Sequence, residues 1–382
     1  MSSLDRTVDV FLEPRHVEAR ARLAEFVAAE IAPLAPPEDD AAARTQARDV
    51  LGRLGRAGWF AAIEARDYRQ CCLTREALAA ASPLADAVFA LQALGSTPVF
   101  RFGSEELVEE YARPATRGEK MAAFAMTEPD AGSDVASLAT TARRDGDHWV
   151  LDGRKMFISN AGVADFYVTF AKTDPAAGAK GISAFVVPAN RVRFVRAQVM
   201  SEPHPLGEIA FEGARVPESH LVGAEGGGLK VGLATLDGLR ATVAAAACGM
   251  ARRALDESLA WARHRKQFGR PLAEHQLVQH RLARMAMDLE ASRLLTYRAA
   301  AAKDGGQERV TLESSMAKAY ATEAAQRVVD DAIQIHGGRG VMADHPVDRL
   351  YRAVRALRIY EGTTEIQHLV IAGHLLAEGS DA

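Results

Sequence analysis

Between Met121 and Val222 the apolar residues of this chain alternate or run in short Val/Phe-rich blocks, whereas on both sides they recur every three or four positions. A chain that changes period twice is neither a lone sheet nor a lone bundle. It must place a strand-rich body of about one hundred residues, a normal domain size, between two helical ones. The expectation is an α+β protein with an all-α domain over 1–120, a β domain over 121–225 and a helical bundle over 226–382. "VEARARLAEFVAAEIAPL" puts Val17, Ala21, Leu23, Phe26, Val27 and Ile31 near one helix face, and Ser104 stands as an N-cap before "EELVEEYARPA". In "HWVLDGRKMFIS", Asp152-Gly153 lies between two strand-like runs, the signal of a hairpin, and Asp145-Gly146 marks a second turn. Past the glycine-rich "GAEGGGLK", four long helical stretches rich in small residues predict the bundle.

Charge and cysteine usage narrow the function classes. Lys plus Arg number 46 against 50 Asp plus Glu, a net of −4, which leaves no electrostatic footprint for nucleic acid or an anionic membrane. The longest uncharged run, Ala87 to Phe100, has 14 residues and is too short to span a bilayer. The first residues lack the basic start and apolar stretch of a secretory signal. Cys71, Cys72 and Cys248 form neither a disulfide framework nor a zinc spacing, so no metal site is expected. The composition points to a cytoplasmic, multidomain protein.

Four segments carry a resemblance: "FAMTEPDAGSD" (124–134), "RKMFISN" (154–160), "RKQFGRPLAEHQ" (265–276), and "QIHGGRG" (334–340) with "RIYEGTTEIQ" (358–367). In this order, around a β region between helical ones, they resemble the acyl-CoA dehydrogenase family over nearly the whole chain. The resemblance implies that family's fold, with a barrel-like middle β domain and a C-terminal four-helix bundle. It also implies FAD as cofactor, an acyl-CoA thioester as substrate, an electron-transfer flavoprotein as acceptor, and a homo-oligomer, a tetramer built as a dimer of dimers.

Desaturating a thioester requires removal of a weakly acidic α-proton and transfer of a β-hydride, and the base must be desolvated to be strong enough. The resemblance assigns that role to Glu361, with Tyr360 and Gly362 beside the substrate. Other branches carry the base on the long helix at the position of Leu239, which cannot act so. Phe124, Met126 and Thr127 are implied on one side of the flavin, and Phe157, Ile158 and Ser159 on the other. Arg265, Gln267, Phe268, His275 and Gln276 are implied to reach the FAD of a neighbouring subunit, where an arginine suits a pyrophosphate. Gln334, Gly337 and Gly338 are implied to accept the other subunit's dinucleotide, and Thr363 and Glu365 to complete the FAD contacts. Ser133, Asp237 and Arg240 match positions that hold CoA, although Asp237 and Arg240, one turn apart, also suit a mutual pair.

The sequence departs from the family between Ala61 and Ser82, where a customary "PEEYGG" loop is missing. The next helix presents Asp86, Ala87, Ala90 and Leu94 on one face. Asp86 either meets a polar or ring substituent of the acyl group, or merely starts the helix or faces water. The altered segment keeps two other enzyme readings open, an acyl-carrier-protein dehydrogenase and an acyl-CoA oxidase. A third reading is a flavin-binding scaffold without catalysis, against which Glu361, Thr127 and Ser159 argue.

Overall fold

The computed structural model describes residues 6–378. Helices α1 (Pro14–Phe26), α2 (Asp40–Arg56), α3 (Tyr68–Ala81) and α4 (Pro83–Phe102) come first. Strands β1 (Ala122–Ala125), β2 (Thr141–Asp145), β3 (His148–Ser159), β4 (Phe166–Lys172), β5 (Ile182–Pro188), β6 (Arg193–Ala197), β7 (Leu206–Pro217) and β8 (Leu221–Val222) follow. Helix α5 (Gly228–His264) leads through a small ribbon, β9 (Lys266–Gln267) and β10 (Arg270–Pro271), to α6 (Gln276–Asp304), α7 (Thr311–His336), α8 (Pro346–Leu357) and α9 (Thr364–Glu378). These elements make two compact units. Among the described residues, the first holds those up to Leu34, Tyr68–Asp86 and those from Arg240; the second holds Ala35–Asp67 and Ala87–Leu239.

In the first unit, α1 starts at a capping box in which His16 Nδ1 accepts the Glu13 amide at 3.1 Å, with Pro14 at the first helical position. That cap turns His16 inward, so the buried stripe is His16, Ala19 and Leu23, continued by Val27 and Ile31. Val17 and Ala21, expected on the buried face, are exposed. Small residues set the close packing of α3 against α5: a Cβ on Gly249 would lie 2.1 Å from the Glu76 carbonyl oxygen. Three long helices, α5, α6 and α7, are joined by the shorter α8 and α9. Helix α5 is long and apolar enough to cross a membrane, but 78% of its most apolar window is buried inside the fold, as in a core helix.

The second unit is organised by a sheet of order β6-β7-β3-β2-β4-β5-β8, with β1 pairing parallel to β4. Alternation along β4 sends Phe166, Val168 and Phe170 into one apolar cluster and Tyr167 and Ala171 into the other, so both faces of the sheet are covered. The β2–β3 hairpin turns at Asp145-Gly146, as expected, with Gly146 at φ +63°. Asp152-Gly153 is not a turn. It lies inside β3 at a register shift against β7, where a Cβ on Gly153 would meet Thr140 Oγ1 at 2.4 Å and Asp152 accepts the Gly213 amide at 2.7 Å. An Asp-Gly pair serves a bulge as readily as a hairpin, because both need a residue without a Cβ. Ser104 caps its helix by accepting the Leu107 amide at 3.3 Å.

Candidate active site

In the first unit the turn between α8 and α9 carries Glu361 at φ +55° followed by Gly362 at φ +91°. A left-handed glutamate costs on the order of 1 kcal/mol and persists only where its surroundings hold it. They do here. Lys318 Nζ donates to the Gly362 carbonyl at 2.6 Å, and Gln367 Nε2 donates to the carbonyls of Glu361 and Gly362 at 3.3 and 3.1 Å. A Cβ on Gly362 would sit 2.4 Å from that same Gln367 nitrogen, so the glycine serves both the turn and the amide that pins it.

The backbone of Glu361 is tied down, yet its side chain is not. Oε2 is shielded from solvent and has no hydrogen-bond partner. Burial pushes the carboxyl up to about 7, against the pull of the Arg75, Lys318 and Arg240 charges. Lys318 is fully buried, and burial brings its ammonium down to about 8. Arg240 is buried on α5 and Asp237 half-buried on the same helix. Thr363 Oγ1 accepts the Ile366 amide at 3.3 Å at the head of α9, where Glu365 is exposed.

Beside this turn stands a pair the sequence reading did not assemble. Arg75 on α3 grips both oxygens of Asp86 on α4, Nε to Oδ1 at 2.7 Å and Nη2 to Oδ2 at 2.9 Å. Its Nη1 donates to Thr242 Oγ1 on α5 at 3.0 Å. Asp86 lies in the first turn of α4, as one expectation has it, but Arg75 and Asp86 are 1% and 2% exposed, so it does not face water, and both its oxygens bond Arg75. The available signal was Arg75 itself, a charge on the stripe shared by Cys71, Cys72 and Leu78.

In the second unit the two motifs implied to flank the flavin are docked to each other. The Met156 amide donates to the Thr127 carbonyl at 2.9 Å. Lys155, fully buried, donates to the carbonyls of Met126 and Phe170 and to Glu128 Oε1 at 3.2, 2.7 and 2.7 Å. Glu128 also accepts the amides of Ala139 and Thr140. This pair, too, was missed. Phe124 packs on Phe170 with ring centroids 4.9 Å apart, and Met126 is buried in the same cluster. Ile158 is buried in the other cluster, which leaves only its backbone for a ligand. Phe157 is different: 59% exposed and at φ +56°, its amide donating to Gln198 Oε1 at 2.8 Å. Ser159 Oγ lies 3.2 Å from His204 Nε2, and burial lowers that imidazole to about 4, so it is neutral at pH 7. Ser133 is exposed beside Gly132.

The segments implied to serve a neighbouring subunit stay exposed in the single chain. Phe268 is 95% exposed at φ +51°, its ring 6.1 Å from that of His275, and His275 Nε2 lies 3.2 Å from the Gln267 carbonyl. Arg265, Gln276, Gln334, Gly337 and Gly338 are exposed as well, and a Cβ on either glycine would meet nothing. Among the described residues five non-glycines adopt positive φ, and three of them, Phe157, Phe268 and Glu361, are implied site residues. An exposed aromatic plane with a hydroxyl two residues further along the same strand suits a flavin ring, and the open glycine backbone suits a phosphate.

The chain belongs to the acyl-CoA dehydrogenase family. The family's N-terminal, middle and C-terminal domain descriptions match residues 13–119, 123–214 and 226–376. It is a flavin-dependent oxidoreductase of the CH–CH class. A 3-(aryl)acrylate reductase of Clostridium sporogenes is 38% identical over 379 residues, covering 96% of this chain and 100% of that protein. Butyryl-CoA dehydrogenase from Megasphaera elsdenii superposes with a TM-score of 0.89 at 31% identity, over 96% of this chain and 99% of that one. A chain described with the electron transferring flavoprotein of Acidaminococcus fermentans reaches a TM-score of 0.91 at 34% identity, over 96% and 98%.

Proposed function

We propose that the protein dehydrogenates the Cα–Cβ bond of an acyl-CoA thioester with Glu361 as the base. The observation that carries this reading is the Glu361 carboxyl, held on a strained and pinned turn, with Oε2 buried and unpartnered. A buried carboxylate without a hydrogen-bond donor is a stronger base than a solvated one, because protonation relieves its desolvation. With burial pushing it up to about 7, the carboxyl is poised to take a proton near neutral pH. FAD, when bound, supplies the two-electron acceptor for the β-hydrogen. Phe157 offers it an aromatic plane and Ser159 a hydroxyl oriented by neutral His204.

The reading extends to assembly and partners. Arg265, Phe268, Gln334 and the Gly337-Gly338 pair serve the FAD of a second copy in a tetramer, and an electron-transfer flavoprotein takes the electrons onward. The exposure of these residues in the single chain supports the first point, and the similarity to the Acidaminococcus chain supports the second. The test is anaerobic titration of the purified yellow protein with straight, branched, cyclic, aryl and dicarboxylic acyl-CoAs. Loss of the visible flavin band with at least one of them is the expected result. A flavoprotein that none of them bleaches would count against acyl-CoA as substrate.

A further inference from the structure

Glu361 sits on the turn that joins α8 to α9, and its left-handed φ strains any residue that carries a Cβ. Left to itself such a turn relaxes, and the carboxyl moves with it. Two side chains of α7 oppose this. Lys318 Nζ donates to the Gly362 carbonyl at 2.6 Å. Among the described residues that carbonyl is its one acceptor and it makes no ion pair, although Lys318 is fully buried. An ammonium buried without a counter-ion is costly, and an apolar side chain of like volume packs at less cost. The lysine therefore calls for a role that packing does not supply. Glu323 works on the ends of the same turn. Its Oε1 accepts Arg358 Nε at 2.6 Å and Thr364 Oγ1 at 2.8 Å, residues on either side of Glu361. The Thr364 amide closes the loop on the Arg358 carbonyl at 3.1 Å. One carboxylate oxygen thus clasps both ends of the turn while the ammonium pins its middle, and both come from one helix.

We propose that Lys318 and Glu323 are the positioning residues of the base, α7 holding the Arg358–Thr364 turn so that the Glu361 carboxyl is presented to the substrate in one orientation. This inference rests on the reading of Glu361 as base. The part they play is geometric. Proton abstraction depends steeply on where the carboxyl stands, and a misplacement of about 1 Å costs about a hundredfold in rate. Ser133, Asp237 and Arg240, the positions matched to CoA, lie outside the turn. Loosening the turn therefore slows proton abstraction and leaves the affinity for acyl-CoA nearly unchanged. Glu323 acts through hydrogen bonds to a single oxygen, so an amide there, which keeps that oxygen, serves almost as well as the carboxylate. A role resting on the charge of Glu323 does not allow that exchange.

The test compares holoenzyme variants by stopped-flow flavin reduction, using whichever acyl-CoA of the panel bleaches the flavin fastest. The limiting rate is separated from the apparent dissociation constant, and amide hydrogen exchange over residues 358–367 follows the turn without any substrate. Glu323→Ala is expected to lower the limiting rate by about a hundredfold, with the dissociation constant within about threefold of wild type. Exchange in the turn should quicken by about tenfold while that of α8 stays as it was. Glu323→Gln should bring the rate back to within about threefold of wild type and restore the slow exchange. Lys318→Met, close in volume, should repeat the Glu323→Ala pattern; if it unfolds, the two Glu323 variants decide. A wild-type limiting rate with wild-type exchange in Glu323→Ala would overturn the proposal. So would a Glu323→Gln variant as impaired as Glu323→Ala, or a loss that falls on the dissociation constant instead of the rate. Glu361→Gln separates the two levels. Near-normal turnover in that variant sinks the base reading itself, whereas an inactive Glu361→Gln beside an undisturbed Glu323→Ala sinks only the positioning role.

Discussion

Each unit of this protein buries one ion pair beneath residues the sequence assigns to the site, Arg75–Asp86 in the first and Lys155–Glu128 in the second. The second pair closes on itself. Lys155 spends its donors on Met126, Phe170 and Glu128, and Glu128 collects two amides besides. Burial alone would raise the Glu128 carboxyl, but the Lys155 charge and these donors hold it below its ordinary value. The first pair is different. Its hydrogen bonds go to Asp86 and Thr242, but its charges also act on Glu361, whose Oε2 has no partner. A buried polar group with all its partners fixes a shape, whereas a buried acceptor left without one is free to take a proton.

The contrast can be tested by breaking each side, and the largest effect belongs to the base. Glu361→Gln keeps the size of the side chain but cannot take a proton, so flavin reduction should slow by about ten-thousandfold while the visible spectrum persists. Stopped-flow reduction measures this directly. Next comes the closed pair. Lys155→Met leaves Glu128 as an uncompensated buried charge and should cost about 3–5 kcal/mol in denaturant unfolding, with flavin lost as Thr127 and Met156 come apart.

A third effect has the opposite sign. Glu361 ionises near 7 when folded against an ordinary 4.5, so its contribution to stability is whole below 4.5 and is lost as pH rises through 7. Glu361→Gln should therefore stabilise the protein at pH 8 by about 2 kcal/mol, less than the full shift because the side chain is partly exposed, and not at pH 4. Calorimetry at the two pH values decides it. Smaller still is the response expected of the flavin side. His204 stays neutral down to about 4, so its contact with Ser159 persists and FAD affinity should change less than about threefold between pH 5 and 9. Equilibrium dialysis of flavin would show this, and a steep change centred near 6 would mean that His204 titrates like a solvated imidazole.

Much of this was legible in the sequence because its signals are local. The change of hydrophobic period locates the sheet, and the "YEGTTEIQ" segment locates the base, since a left-handed turn, a glycine and a helix cap are all written within a few residues. What stayed hidden is long-range or ambiguous. Asp152-Gly153 reads as a hairpin because a bulge asks the same of its glycine. Arg75 and Asp86 are separated by the break between α3 and α4, and only the fold of that break brings fork and carboxylate together. Lys155 lies in β3 and Glu128 in the loop after β1, and no short pattern encodes their meeting. His204 and Ser159 meet only because β7 pairs with β3.

The claim that governs the rest is that Glu361, with Oε2 shielded and unpartnered, ionises near neutrality. Difference infrared spectroscopy of the protonated carboxyl stretch, titrated in the wild-type protein with Glu361→Gln as the blank, tests it without relying on turnover. The account predicts a protonated-carboxyl band that disappears with a midpoint near 7 and is absent from the variant. A band that disappears near the ordinary glutamate value of 4.5 would contradict it.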